Sequence, residues 1–307
     1  MAQTTQIVLA GEQTAPNLLP IRHYRPEQVF ILHTSFERSK VMAERLRSRL
    51  KDTKVELHPI EAFDVGKIVE QMVSLFKEVP GAMVNITGGT KPMSIGALEA
   101  ARRTQAQPFY IRSQDAKTQM DFYAFDHAGK PFIRESLFLD QTIEIDDYLV
   151  AYFGHDYRFT GFGVGAGEAF ERTLYEILLS GVDEVKSGWK HNSNAVDVDF
   201  VIRCNNQIGI IEAKTGKKAL TAEGIKQLAV AGGQRFFGTY VKRFLVIDRL
   251  WDKNSQNIRE LAQAIGIIPI ELPSYMKSGQ IALKDKDKLW DEIYKTLGKP
   301  QSLITNF

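Results

Sequence analysis

Read as apolar and polar positions, the first half of the chain alternates between two periods. Short runs rich in Val, Ile and Leu read as strands: "TQIVLA" (5–10), "QVFILHT" (28–34), "KVELHPI" (54–60) and "GAMVNIT" (81–87). Between them lie segments of helical period. "ERSKVMAERLRSRLKD" (37–52) sets Val41, Leu46 and Leu50 near one face. "DVGKIVEQMVSLFKEV" (64–79) does the same with Ile68, Met72, Leu75 and Phe76, and "PMSIGALEAARRT" (92–104) predicts a third helix. Strands alternating with helices predict an α/β fold with a parallel sheet covered by helices. "QPFYIRS" and "MDFYAFD" extend it as an edge hairpin.

The texture changes over 140–167, where "IEIDDYLVAYFGHDYRFTGFGVGAGE" is aromatic and then glycine-rich. A domain boundary is expected here: a first domain over 1–145, a linker over 146–165 and a second domain over 166–307. The second domain opens on a helix, "EAFERTLYEILLSG", with Phe170, Leu174, Ile177 and Leu178 inward and Gly181 as its stop. Two β runs follow, "DFVI" and "QIGIIEAK", joined through Asn205-Asn206. A helix near 221–230, the strand "RFLVID" (243–248), a helix over 253–264 and a last helix in "DKLWDEIYKTLG" complete the α/β pattern.

Composition narrows the function classes. A chain of 307 residues with a net charge of +2 is no polycation, so any nucleic-acid contact comes from a local patch. One cysteine, Cys204, excludes an internal disulfide and a cysteine-based zinc cluster, and suits a reducing cytoplasm. The amino terminus lacks the pattern of a secretory leader and no apolar run reaches membrane length, so a cytoplasmic protein with no membrane partner is expected.

The chemistry concentrates in "DVDFVIRCNNQIGIIEAKTGKKAL" (197–220). Asp199, Glu212 and Lys214 interrupt runs that otherwise take apolar residues, and buried charges are costly unless paired or gathered on a metal. Period two puts Glu212 and Lys214 on one face, and a hairpin brings Asp199 beside them. Carboxylates holding a divalent cation, with a lysine to stabilise developing negative charge, are the requirements of phosphodiester hydrolysis. The alternative is a surface hairpin with ordinary ion pairs. Lys217, Lys218, Lys242 and Arg243 would attract a phosphate backbone or form a solvated face. Gln227, on the next helix, and His191 are further candidates, the latter more simply a solvated loop residue.

This layout resembles the PD-(D/E)xK restriction-endonuclease-like superfamily. The resemblance implies Asp199 and Glu212 as ligands of Mn²⁺ or Mg²⁺, Lys214 as the group orienting the nucleophile, and a carboxylate on the preceding helix. Glu171 is the choice for that carboxylate and Glu168, one turn earlier, its alternative.

In the first half, "NITGGTKPMS" (85–94) follows a strand and opens a helix. Its glycines permit close backbone approach, and a helix N-terminus offers free N–H groups. It is neither a P-loop nor G-x-G-x-x-G. With "GEQTAPNLLPI" and "RPEQVFILHT" it resembles the CRISPR-associated Rossmann-fold (CARF) domain, and the pairing resembles two-domain CARF nucleases of type III CRISPR ancillary defence. The resemblance implies a homodimer that binds a cyclic oligoadenylate, most often cyclic tetra-adenylate, and is thereby switched on to cleave DNA, RNA or both. The implied ligand contacts are Gly11, Glu12, Gln13 and Asn17; Thr34 and Ser35; and Thr87, Gly88, Gly89, Thr90, Lys91 and Met93. Other outcomes remain open, a silent second domain that only binds nucleic acid, or a CARF pocket that degrades its own activator.

Overall fold

A computed structural model describes residues 5–114, 116–140, 142–165, 167–233 and 235–301. The first four and last six residues of the expected domain spans therefore lie outside the described residues. The chain divides into two compact units. The first runs to Ile143 and takes in Asp147–Tyr152; the second comprises Glu144–Asp146 and the chain from Phe153 onward.

The first unit is built from β1 (Thr5–Leu9), α1 (Ala15–Tyr24), β2 (Gln28–His33), α2 (Glu37–Ser48), β3 (Lys54–Pro59), α3 (Val65–Glu78), β4 (Met83–Asn85), α4 (Lys91–Thr104), β5 (Gln107–Gln114), β6 (Lys117–Phe125) and β7 (Pro131–Phe138). The sheet order is β3-β2-β1-β4-β5-β6-β7. The first five strands run parallel, and β6 and β7 are added antiparallel. Strand order reverses between β1 and β4, where doubly wound sheets open a crevice at the carboxyl ends of their strands.

The periodicity predicted for α3 is met: Ile68, Met72, Leu75 and Phe76 are all buried. They pack with α4 over Ile7, Leu9, Phe30, Leu32 and Val84. Each such side chain, fully buried, contributes about 1.5–3 kcal/mol. Gly96 lets α4 approach α3, since a Cβ there would lie 2.4 Å from Ile68 Cγ2. The expected edge hairpin forms, with Phe109 opposite Phe122. Two elements are additional to the sequence reading. Helix α1 carries Pro16 near its start and Pro20 within it, and strand β7 lies at the sheet edge with hardly a buried residue, so it shows no alternation.

Helix α5 (Ile145–Phe153) follows, and with β8 (Tyr157–Phe159) it occupies much of the segment expected as a linker. The second unit continues with α6 (Glu168–Leu179), β9 (Glu184–His191), β10 (Asp197–Cys204), β11 (Gln207–Lys214), α7 (Glu223–Ala231), β12 (Lys242–Ile247), α8 (Gln256–Ala264), β13 (Ile267–Glu271), α9 (Pro273–Ser278) and α10 (Leu283–Leu297). Its sheet order is β13-β12-β11-β10-β9-β8, parallel from β11 through β13 and antiparallel elsewhere. Asn205 turns the β10–β11 hairpin with φ of 53°, a conformation asparagine tolerates. Phe170, Leu174, Ile177 and Leu178 of α6 and Leu289, Ile293 and Leu297 of α10 cover one sheet face.

Gly181 corrects one expectation. Helix α6 ends with Ser180 at its C-cap in the right-handed region, so Gly181 is not a left-handed stop. It is needed for packing: a Cβ would lie 2.4 Å from the Trp290 ring. Among the described residues no helix is long and apolar enough to cross a membrane. Cys204 is buried and free, and burial pushes its thiol up to about 12.

Candidate functional sites

At the reversal point of the first sheet, the loop after β1 meets the loop after β4. A Cβ on Gly11 would lie 2.8 Å from Gly89 N, and one on Gly88 would lie 2.2 Å from the Leu9 carbonyl oxygen. Gly89 also has a φ of 74°. Only glycine allows two backbones this close, and the result is a floor of main chain rather than side chains.

Buried amides hold that floor. Asn85 donates to the Pro16 carbonyl at 2.8 Å and to Asn17 Oδ1 at 3.0 Å, and accepts from Thr87 N–H. Asn17 in turn donates to the Leu9 carbonyl at 2.8 Å. Asn17 and Met93 are thus buried beneath the loops, whereas Ser35 and Lys91 are exposed. Thr87 Oγ1 accepts from Ile111 N–H at 2.7 Å. Thr90 caps α4, accepting from Met93 N–H, and donates to the Ala62 carbonyl at 2.6 Å. Glu12 pairs with Arg38 across the rim at 3.2 Å, and Gln13 accepts from the Tyr152 hydroxyl. Thr34 is buried with its Oγ1 unpartnered.

In the second unit, the pairing of Phe200 with Ile211 sets Asp199 across the hairpin from Glu212. Asp199 accepts from Ala213 N–H at 2.7 Å. Lys214 donates to Glu212 Oε1, and Glu212 Oε2 is buried with no partner. Gly224 of α7 makes room for this: a Cβ there would lie 3.2 Å from Lys214 Cγ and 3.5 Å from Glu212 Cγ. Gln227, one turn further, presents a second buried oxygen without a partner, its Oε1.

The electrostatics follow from crowding. Burial pushes the Asp199 carboxyl up to about 7; the Ala213 N–H pulls against this, and Glu171 adds to it. Glu212 is raised well above the ordinary range by burial and then by Asp199, against the pull of Lys214. Burial works against the Lys214 ammonium, but Glu212 and Asp199 outweigh it and the net shift is upward. The cluster sets two acids against one base, each acid held toward its protonated form, and a cation would favour ionising them.

The two carboxylates, one of them with Oε2 unpartnered, are the donors such a cation would take. Among the described residues no group of three or more His, Cys, Asp or Glu is arranged to hold a metal. A magnesium-like ion needs only one or two carboxylates when waters and substrate phosphate complete its shell.

Glu171 acts electrostatically on Asp199 and accepts from Gly163 N–H at 2.9 Å. Glu168 pairs with Arg172 on the exposed side of α6. Lys218 pairs with Glu223, while Lys217 is exposed. Lys242 and Arg243 stand opposite Gly209 and Ile210, at the far end of the β11–β12 ladder from Lys214. The structure therefore does not bring them to the carboxylates. His191 is the last residue of β9 rather than a loop residue, held by Asp156 and Ser193.

Residues 5–148 match the Card1 CARF domain family. The first half of this chain is a CARF domain. No curated protein matches the chain. Among solved structures, Can2 from Sulfobacillus thermosulfidooxidans, in complex with cyclic tetra-adenylate, is 15% identical with a TM-score of 0.69, over 94% of this chain and 98% of that one. Protein VC1899 from Vibrio cholerae is 12% identical with a TM-score of 0.71, over 97% and 100%. A type III CRISPR defence DNA nuclease activated by cyclic oligoadenylate is 15% identical with a TM-score of 0.55, over 81% of this chain and 46% of that one. These likenesses establish the shared fold, a CARF domain followed by a second α/β domain.

Two contributors escaped the sequence reading. Asn85, the polar end of an apolar strand in the CARF domain, carried a visible signal. Gly224 carried little, since one glycine near a helix start has no distinctive pattern.

Proposed function

We propose that the chain is a metal-dependent nuclease of type III CRISPR defence, activated by a cyclic oligoadenylate, cyclic tetra-adenylate first among them, bound by a homodimer of its CARF domain. The observation that carries the nuclease reading is Glu212 Oε2, a buried carboxylate oxygen with no partner beside Asp199 and Lys214. A purely structural ion pair gains nothing from leaving that oxygen unsatisfied. The activator reading is supported by the family of the CARF domain and by the ligand in the Can2 structure.

Asp199 and Glu212 would hold Mn²⁺ or Mg²⁺, with Glu171 adding negative charge nearby. The cation, when bound, draws charge from the scissile phosphate and acidifies a water. Asp199 is fixed for this by the Ala213 N–H. Lys214 keeps its proton because two carboxylates hold its pKa up. It can therefore donate to a phosphate oxygen as negative charge develops there. A cyclic tetranucleotide can be two-fold symmetric, so a C2 pair of CARF domains can offer it matched contacts. It activates only if it binds the active arrangement better than the resting one.

The test is cleavage of plasmid DNA, single-stranded DNA and RNA with Mn²⁺ or Mg²⁺, with and without cyclic tetra-adenylate. Cleavage that needs both is expected. Equal cleavage without the activator refutes the switch, and no cleavage of any substrate refutes the enzyme.

A further inference from the structure

Two loops at the carboxyl edge of the CARF sheet each lift a phenylalanine into solvent. Phe36, at the start of α2, is 54% exposed and Phe63, before α3, is 62% exposed. Their rings meet edge to face, with centroids 5.9 Å apart and planes at 66°. An edge-on pair leaves ring faces open.

Both rings are held in place. The Glu61 carboxylate accepts from Ala62 N–H at 2.9 Å and Phe63 N–H at 3.2 Å, and Asp64 caps α3. The Ala62 carbonyl receives the Thr90 hydroxyl, so Phe63 is one residue from a bond to the "TGGTK" loop. Phe36 follows Thr34 and Ser35; Thr34 N–H donates to Ser39 Oγ, which donates to the Ala10 carbonyl beside Gly11. Ordered loops thus tie both rings to the rim of the crevice, and the buried, unpartnered Thr34 Oγ1 lies two residues from Phe36.

We propose that Phe36 and Phe63 form a base-stacking platform for the nucleotide bound at this crevice, an inference that rests on the activator-binding reading above. Every base has a π face, so the platform contributes affinity without choosing among bases. Loss of one stacked base weakens binding about five- to 150-fold.

The test is calorimetric binding of cyclic tetra-adenylate to the full-length chain and to the double variant Phe36→Ala/Phe63→Ala. Weakening of at least tenfold is expected, with Phe36→Tyr/Phe63→Tyr close to wild type. In Phe63→Trp the new indole emission should be quenched by the ligand. If the alanine variant does not fold, the leucine pair replaces it, keeping apolar volume without a π face, and must show the same loss. Wild-type binding with unchanged affinity in the variants overturns the platform and leaves the activator reading standing. Unchanged affinity together with a changed oligomeric state assigns the rings to contact between two copies, which also overturns it. No binding by wild type overturns the activator reading and the platform together.

Discussion

Replacing Asp199 with Asn should stabilise the metal-free protein, and increasingly so as pH rises. The carboxyl titrates near 7 in the folded chain against 3.8 ordinarily, chiefly because it is buried. The folded protein then holds a proton that the unfolded chain releases, so stability is full below pH 3.8, falls as pH rises toward 7 and is level above. Full ionisation at alkaline pH costs about 4 kcal/mol, and at pH 5 roughly a third of it has already been lost. The ceiling on the pH-dependent gap between variant and wild type is therefore about 3 kcal/mol from pH 5 to 9. The Asn amide N–H₂ enters a site built for acceptors, a cost independent of pH that lowers the gap equally at both pH values and leaves its change with pH intact. The assay is urea unfolding in chelator at pH 5 and pH 9. All three tryptophans, Trp189, Trp251 and Trp290, lie in the second unit, so their fluorescence follows the domain in question. Added Mn²⁺ should stabilise wild type at pH 8 and not the variant. A gap that is the same at both pH values would show that Asp199 is not a carboxylate ionising at a cost, and the argument for a cation there would lose its physical basis.

Other outcomes follow from the same geometry. Lys214→Met leaves Glu212 buried without its ammonium; it should abolish cleavage and destabilise the second unit by about 3 kcal/mol in the same urea assay. Gly224→Ala pushes a methyl within 2.6 Å of Leu245 Cδ1 and against Lys214, so cleavage should fall at least tenfold while cyclic tetra-adenylate binding, measured by calorimetry, is unchanged. Thr90→Val removes the cap of α4 and the bond to Ala62, costing about 1–2 kcal/mol and raising the activator concentration needed for half-maximal cleavage; an unshifted dose-response would make the "TGGTK" loop a structural turn only.

Much of this was legible in the residues, for physical reasons. Helix α3 keeps a strict 3.6 period because one face lies on the sheet and the other in water. The β10–β11 hairpin announced itself because Asp199 and Glu212 interrupt apolar runs and Asn205 turns between them. Strand β7 was silent because an edge strand exposed on both faces needs no alternation. Helix α1 was silent because its prolines contradict local propensity, which tertiary burial of Leu18, Leu19 and Ile21 overrides. Sequence proximity misled at Lys242 and Arg243: they belong to the strand next to the site, but to its far end. Residue order does not separate Glu171 from Glu168, since both lie in the first turn of α6; in the fold Glu171 acts on Asp199 and Glu168 pairs with Arg172.

The most direct test is to locate the ion. Crystals of the full-length chain grown with Mn²⁺ and measured at the manganese edge should show an anomalous peak within bonding distance of Asp199 and Glu212, absent in Glu212→Gln. A peak elsewhere, or a Lys214–Glu212 pair untouched at saturating Mn²⁺, would contradict the account.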